Sequence, residues 1–206
     1  MTTPHDTLAG AFAVGSADLA RLHARLAGVA AEEGLLDVAY RTLDSPVGAL
    51  LVAVTPVGVV RVAFAGEGHD VVLQDLADRI GPRVLESPAA VDGTARQLED
   101  YFAGRRREID VPLDWRLAAG FRLTVLHHLA TDVPHGTTVS YAGLAALAGN
   151  PRAVRAVGTA CATNPLPLVV PCHRIVRSDG AAGSYRGGVQ AKRVLLDLEA
   201  RAPLGP

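Results

Sequence analysis

The strand-forming and helix-forming patterns of this chain lie in different parts of the sequence, and this separation constrains the fold more than any other feature. Three short runs rich in β-branched residues, interrupted by two turns that contain proline and glycine, are residues 38–43, 49–54 and 59–65. Two helical patterns follow, at 69–80 and 92–102, and helical spacing dominates from Ala118 onward. We therefore predict an α/β fold class, with a small N-terminal α/β domain over residues 38–115 and a mostly α-helical C-terminal domain over residues 116–206.

Residues 1–37 precede the strands and are predicted to form an N-terminal helical extension. Ser16 is a suitable N-cap, and apolar residues recur at helical spacing from there to Gly34. These residues are Leu19, Leu22, Leu26, Val29 and Ala30. Because no candidate catalytic or metal-binding side chain accompanies them, we expect this helix to pack against the rest of the protein.

Composition excludes several classes of protein. Hydrophobic residues make up 49% of the 206 residues, which suffices for a buried core, but no apolar run reaches the ~18 residues that span a membrane, and no secretory signal is visible. The two cysteines, Cys161 and Cys172, lack CxxC spacing, which is typical of reduced intracellular thiols and leaves too few soft ligands for a thiolate-rich zinc site. We expect a cytoplasmic protein with no membrane partner, no metal and no other cofactor.

The two halves of the chain differ in charge. Residues 1–115 hold ten Lys/Arg and seventeen Asp/Glu, a net charge of −7, whereas residues 116–206 hold ten Lys/Arg and four Asp/Glu, a net charge of +6. A basic half suits a polyanion such as nucleic acid, although the same imbalance would also help the two halves dock together.

The basic half contains a cysteine next to a histidine, Cys172-His173, within the run from Pro171 to Arg174. A thiol is a good nucleophile only as the thiolate, so its ordinary pKa of about 8.5 must be lowered or its proton taken by a neighbouring base. The apolar approach at residues 166–170 predicts a stiff, partly buried loop. Such a pair also arises as an accident of packing, so these residues alone allow either a nucleophile or a structural thiol.

Two short helical patterns built from small residues flank a turn at residues 149–151. Ser140 is a suitable cap for the first, and the second, at 153–160, is expected to expose Arg152 and Arg155, which fits a helix-turn-helix. Small side chains let the second helix approach another surface closely. The pattern alone permits either a DNA-binding element or an ordinary αα-hairpin.

A glycine-rich segment at residues 178–188 and a last helix at 190–200 follow the cysteine. The segment is either a mobile lid over a pocket or a simple connection. The residues of the helix predicted to face inward are Val194, Leu195 and Leu198. Glu199 lies near the helix C-terminus, which disfavours a carboxylate, so either a specific partner holds it there or it is an ordinary exposed glutamate.

In this order the motifs resemble the O6-alkylguanine-DNA alkyltransferases, the methylated-DNA–protein-cysteine methyltransferases. The resemblance is strong over about residues 117–200 and looser over 38–115, the variable ribonuclease-H-like domain of that family; residues 1–37 match nothing in it. It rests on the helix-turn-helix from Val139 to Gly158, Asn164-Pro165, Pro171 to Val176, Ser178-Asp179-Gly180, Gly183 to Gly188, Lys192 and Leu195 to Glu199. It implies direct-reversal DNA repair by a monomer without an obligate protein partner. An alkyl group on O6-alkylguanine, or O4-alkylthymine, in duplex DNA would move irreversibly to the protein, once per molecule, after nucleotide flipping.

The resemblance also assigns roles to residues. Cys172 would accept the alkyl group, His173 would take the thiol proton through a bridging water, and Glu199 would orient His173. Asn164 would stabilise the active-site turn, and Lys192 would support the site near Tyr141. The residues that contact DNA, with Arg155 filling the gap left by the flipped nucleotide, would be Arg152, Arg155, Tyr141, Ala156 and Gly158. Those that line the substrate pocket would be Tyr185, Ile175, Pro167, Ser184 and Arg186.

Two features depart from the family pattern. Arg186 occupies a position where relatives usually carry a small residue, and a long cation there would either narrow the pocket or contact a phosphate. The zinc-binding version of the family uses N-terminal cysteines and histidines, whereas residues 1–160 hold no cysteine, so no metal is expected.

Two alternatives remain open at the level of sequence. The first is a non-enzymatic helix-turn-helix protein that recognises alkylated bases and in which Cys172 is structural. The second is a cysteine–histidine hydrolase, which is disfavoured because no second base or oxyanion element is evident.

Overall fold

The computed structural model describes residues 15–201, so residues 1–14 of the predicted extension and residues 202–206 lie outside it. The helices of this part are α1 (Ser16–Glu32), α2 (His69–Arg79), α3 (Pro88–Phe102), α4 (Gly120–Asp132), α5 (Tyr141–Leu147), α6 (Val154–Ala162) and α7 (Gly188–Ala200). The strands are β1 (Val38–Leu43), β2 (Leu50–Val54), β3 (Val59–Phe64), β4 (Val84–Glu86), β5 (Val139–Ser140) and β6 (Ile175–Val176). This order confirms the predicted α/β N-terminal domain followed by a helical C-terminal domain.

The larger sheet has the strand order β3-β2-β1-β4. Strands β1, β2 and β3 form two antiparallel hairpins across the predicted turns, and β4 pairs in parallel with β1. The sequence pattern does not predict β4, because a run of three residues is too short to show an alternation. Strands β5 and β6 pair in parallel as a separate two-stranded sheet, which joins the start of α5 to the segment after Cys172.

The larger sheet is buried on both faces. One face packs against α2 through Val72 and Leu76. The other packs against α3 through residues such as Val91 and Leu98, and the same cluster of buried side chains continues into the C-terminal domain, where it includes Leu129. The N-terminal domain therefore packs directly against the domain that carries the cysteine.

Helices α5 and α6 form the predicted helix-turn-helix and pack on α4. The Ser140 Oγ accepts a hydrogen bond from the Gly143 N–H at 3.0 Å, which confirms the predicted cap. Gly149 in the turn has a φ of 75°, a conformation that favours glycine. Leu144 and Val157 are fully buried, so the two helices are anchored in the core from one side only.

Of the apolar stripe predicted for helix α1, the structure buries only Ala30. The buried residues of this helix are Ala27 and Ala30, whereas the apolar residues that are at least half exposed are Leu19 (56%), Leu22 (54%), Leu26 (59%) and Val29 (50%). The short alanine side chains let the helix lie close to β4, which it contacts at the sheet edge. The predicted packing role therefore belongs to the alanines and not to the leucines.

Helix α7 differs from its prediction at one of three residues. Leu195 is fully buried and the half-buried Leu198 packs against the core as expected, but Val194 is 37% exposed, and the inward stripe also includes Lys192 and Glu199. Both are charged residues that a hydrophobicity pattern places outside. Their hydrogen bonds inside the protein set the rotation of the helix.

Candidate active site

One buried amide folds the segment that leads to Cys172. The Asn164 Oδ1 accepts from the Leu166 N–H at 2.9 Å, and its Nδ2 donates to the Val170 carbonyl at 2.9 Å and to the Cys172 Sγ at 3.3 Å. Leu168 within this segment has a φ of 74°, which a residue with a bulky side chain rarely adopts. The tertiary structure therefore holds the turn against a local preference and fixes the position of the sulfur.

The Cys172 thiol is neutral at rest. Cys172 begins a single 3₁₀ turn that ends at Arg174 and is only 3% exposed. Burial raises the pKa of the thiol to about 11, although the hydrogen bond from Asn164 and the charge of Lys192 both lower it. The sulfur becomes a strong nucleophile only when a base removes its proton.

His173, at the next position in the chain, is the candidate for such a base. It is completely buried, and its Nε2 lies 2.9 Å from the Glu199 Oε1. Burial lowers the pKa of the imidazole, and Glu199 only partly offsets this, so the ring is neutral. Because an ionised carboxylate can only accept, Nε2 carries the proton and Nδ1 bears the free lone pair. Nδ1 has no hydrogen-bond partner among the residues that the structure describes.

Four residues donate hydrogen bonds to the buried Glu199 carboxylate. In addition to His173, the Arg174 Nη2 lies 2.9 Å from Oε1 and its Nε 3.0 Å from Oε2, the Tyr101 hydroxyl donates to Oε1 at 2.7 Å, and the Gly136 N–H donates to Oε2 at 3.1 Å. Burial would raise the pKa of the carboxyl, but the bonds from His173 and Arg174 hold it well below 4.5. These donors are specific partners, so Glu199 is not an ordinary exposed glutamate.

Two of the residues that bond to the Glu199 carboxylate, Arg174 and Tyr101, are not identified as site residues by the sequence pattern. Arg174 follows the histidine in the run from Pro171 to Arg174, and this position was the available signal. Tyr101 belongs to α3 of the N-terminal domain, 98 residues away from Glu199. No local pattern identifies Tyr101, because its proximity to Glu199 arises only when the domains pack.

Lys192 is the single lysine of the chain and is fully buried. Its Nζ donates to the Ile175 carbonyl, so it supports β6 directly behind the cysteine and does not bond to Tyr141. Burial lowers the pKa of the ammonium group, and the thiols of Cys172 and Cys161 act in the opposite direction.

Cys172 borders a cavity of about 130 Å³. Its lining residues are Tyr141, Gly158, Cys161, Ala162, Cys172, Ser184, Tyr185 and Arg186. The structure thus brings together three of the five predicted pocket residues. The other two, Ile175 and Pro167, are buried in the protein and do not line this cavity, because their segments pack into the core on either side of the active-site turn.

The exposed start of α6 lies beside the cavity. Arg152, Arg155 and Ala156 are at the surface, while Gly158 borders the cavity itself. Residues three apart on a helix share a face, so Arg155 lies on the side of α6 that Gly158 presents to the cavity. The surface predicted to contact DNA and the pocket that holds the thiol are therefore continuous.

Residues 15–201 hold neither a metal-binding cluster nor a membrane span. No group of three or more His, Cys, Asp or Glu side chains converges in this range in a way that would hold a metal ion. Within the same range, no helix is both long and apolar enough to cross a membrane.

Together, fold and site define a class of protein with two packed domains, in which a buried cysteine–histidine–glutamate centre adjoins a helix-turn-helix. Residues 38–115 match the family model for the ribonuclease-like domain of 6-O-methylguanine DNA methyltransferase, and residues 120–201 match the model for its DNA-binding domain. The chain belongs to the 6-O-methylguanine DNA methyltransferase family, which confirms the resemblance noted in the sequence. Residues 1–37 lie outside both matches.

Individual relatives support this assignment. The methylated-DNA–protein-cysteine methyltransferase of Mycobacterium tuberculosis is 40% identical over 177 residues, which cover 80% of this chain and 94% of that protein. The Mus musculus protein of the same name is 54% identical over 85 residues, 41% of this chain and 40% of its own length. A crystal structure of Mycobacterium tuberculosis OGT in complex with DNA matches with a TM-score of 0.69 at 38% identity, over 81% of this chain and 96% of that one.

Proposed function

We propose that this protein repairs O6-alkylguanine in duplex DNA by transferring the alkyl group to its own Cys172. The observation that carries the proposal is Cys172, which borders a cavity beside the helix-turn-helix and is followed directly by a neutral, buried His173. In the reaction the bond between the alkyl carbon and guanine O6 breaks, and a thioether bond to sulfur forms. The thiol proton replaces the alkyl group on guanine. Because a thioether has no ready route back to the thiol, each molecule acts once.

Proton transfer is proposed to run from Cys172 through a bridging water to the Nδ1 of His173. The arguments are that Nδ1 carries the free lone pair and that adjacent side chains rarely meet directly, so a water bridge is the natural path. Glu199 keeps the opposite nitrogen protonated and stabilises the imidazolium that forms. Tyr101 and Arg174 hold Glu199 in place for this task.

DNA engagement is proposed to follow the exposed start of α6. Arg155 would enter the duplex as the alkylated nucleotide leaves the stack, since the O6 position is otherwise inaccessible to the sulfur. Arg152 would attract a phosphate, and the small residues Ala156 and Gly158 would allow close approach to the minor groove. Tyr141 would assist rotation of the nucleotide. The positive charge of this half of the chain supports a polyanionic partner, and DNA as substrate would place the protein at the nucleoid in the cytoplasm.

The extruded base is proposed to occupy the 130 Å³ cavity. Tyr185 and Ser184 would border the base, and the carbonyl of Cys172, a residue that lines the cavity, would read its amino group with its second lone pair. O4-alkylthymine is a proposed second substrate, because its alkyl oxygen occupies a comparable position on a smaller base.

Intact mass spectrometry after incubation with a methylguanine-containing duplex tests the proposal. We expect a gain of one methyl group per protein, located on Cys172 by peptide mapping, and no second turnover. Cys172→Ala should bind the duplex without a gain in mass. The control is Cys161→Ala, because Cys161 borders the same cavity but should not accept the methyl group. Methylation of Cys161, or binding without any transfer by the unaltered protein, would refute the mechanism; the second result would indicate a non-enzymatic binder.

A further inference from the structure

The loop that borders the cavity is fastened to the N-terminal domain by an ion pair. The Arg186 Nε donates to the Glu67 Oε2 at 2.5 Å, and its Nη1 donates to the Ala162 carbonyl at 3.4 Å. Glu67 lies in a short 3₁₀ turn that directly follows β3. The two partners are 119 residues apart, so the contact joins the ribonuclease-like domain to the rim of the pocket.

Glu67 is itself held firmly in position. Its Oε1 accepts from the Phe64 N–H at 2.9 Å, and its Oε2 also pairs with Arg61. The side chains of Arg61 and Glu67 are only 8% and 10% exposed. Because Arg61 already balances the buried carboxylate, Arg186 is not needed to neutralise it. The contact with Arg186 instead fixes the Arg186 side chain.

Packing on both sides of Arg186 reinforces this contact. The Tyr185 ring meets the Phe64 ring edge-on, with centroids 5.5 Å apart. Gly187 lies so close to Phe64 that a Cβ atom there would stand 2.7 Å from the ring. We call these five residues, Phe64, Glu67, Tyr185, Arg186 and Gly187, the cross-domain clamp.

We infer that Glu67 is a positioning residue that, through Arg186, holds the clamp closed over the cavity and thereby limits the size of the alkyl group that reaches Cys172. The inference rests on the proposed function and adds a role for a residue of the N-terminal domain. Arg186 lines the cavity, and its guanidinium binds both Glu67, which does not line the cavity, and the carbonyl of Ala162, which does. On this inference, a methyl group passes the closed clamp, whereas the larger benzyl group requires the Arg186 side chain to move.

Single-turnover transfer of methyl and of benzyl groups from alkylguanine in duplex DNA tests this role. Glu67→Gln retains the size of the side chain but weakens the hold on Arg186, so we expect the benzyl-to-methyl rate ratio to rise about tenfold, with methyl transfer changed less than twofold. Arg186→Met should give a similar rise, whereas Arg186→Lys, which keeps the charge, should stay near the ratio of the unaltered protein. If only the volume of the side chain at position 186 limited the alkyl group, the Met and Lys variants would show the same benzyl-to-methyl rate ratio. The double variant Glu67→Gln/Arg186→Met should exceed neither single variant, since both remove one contact.

Arg177→Ala is the matched control, because Arg177 makes an exposed ion pair with Asp179 on the same loop. It should leave the ratio unchanged. Should Glu67→Gln fail to fold because Arg61 loses its partner, the Met and Lys variants of Arg186 decide alone, since they leave the Glu67–Arg61 pair intact. Hydrogen exchange of residues 181–188 should accelerate in Arg186→Met. An unchanged ratio and unchanged exchange in a protein that still accepts methyl groups would overturn the inference, whereas absence of methyl transfer in the unaltered protein would overturn the proposed function instead.

Discussion

Burial of Cys172 opposes the reactivity of its sulfur, and the proposed role of His173 as a base would resolve this conflict. With the thiol pKa raised to about 11, the proposed transfer near neutral pH would depend on the imidazole. We expect His173→Gln to slow single-turnover methyl transfer by about 100-fold at pH 7, the usual scale of general-base catalysis. Transfer by the variant should then rise about tenfold per pH unit towards pH 10, because hydroxide ionises the sulfur directly.

The transfer rate of the unaltered protein should depend on pH in a different way. Because burial lowers the pKa of His173 from its ordinary 6.5, the ring stays neutral through pH 6.5–8, and the transfer rate should be flat there. It should fall only in more acidic solution, where the imidazole becomes protonated. Rapid-quench measurements from pH 5 to 10 compare the two profiles, with DNA affinity as the control. A variant as fast as the unaltered protein at pH 7 would exclude His173 as the base.

The low pKa of the Glu199 carboxyl predicts how the stability of the protein depends on pH. Its folded pKa lies below the ordinary value of 4.5, so its contribution is complete above pH 4.5 and is lost as pH falls through the folded pKa. Glu199→Gln leaves Arg174 buried with no carboxylate, and we expect a loss of about 3–5 kcal/mol in the free energy of unfolding at pH 7. The difference from the unaltered protein should shrink as pH falls below 4.5. Urea unfolding at pH 3–7 measures this, and Asp75→Asn, at an exposed pair with Arg79, should change stability by less than about 0.5 kcal/mol.

At the scale of elements, α6 is proposed to be needed for alkyl transfer from duplex DNA but not for transfer from a free base. Arg155→Ala should slow methyl transfer from duplex DNA at least tenfold and leave transfer from free O6-methylguanine nearly unchanged, because a free base needs no extrusion. Arg152→Ala should act mainly on affinity and reduce the slope of log K against log salt by about 1. Single-turnover rates on both substrates, with salt titrations, provide the measurement. Equal losses on both substrates for Arg155→Ala would indicate damage to the site rather than to flipping.

At the scale of the whole molecule, Tyr101 couples the two domains through Glu199. Tyr101→Phe removes one buried hydrogen bond to a charged acceptor, which is worth about 1.5–3 kcal/mol, while the ring keeps its edge-on contacts with Phe102 and His135. We expect a loss of stability in this range and slower methyl transfer, both measured at pH 7. Tyr40→Phe, on β1 away from Glu199, is the matched control. If Tyr101→Phe left both quantities unchanged, the N-terminal domain would have no part in holding the carboxylate.

Much of the molecule could be predicted because its determinants are local. Turn residues indicate the two hairpins, Ser140 marks the start of α5, and the adjacent Cys172 and His173 indicate a candidate site once the motifs around them are considered. The observed helix bounds differ from the predicted ones where no side chain caps the start of the helix. Helix α3 begins at Pro88 and α7 at Gly188, each earlier than the apolar pattern suggested.

What the sequence alone determined is the order of elements and the chemistry of adjacent residues, since both depend on side chains close together in the chain. Only the tertiary structure decided which distant groups meet: Tyr101 with Glu199, and Glu67 with Arg186. It also decided that α1 packs on alanines and that α7 turns Lys192 inward. These outcomes depend on how buried polar groups find partners across the core, and that is a property of the packed domains rather than of any local pattern.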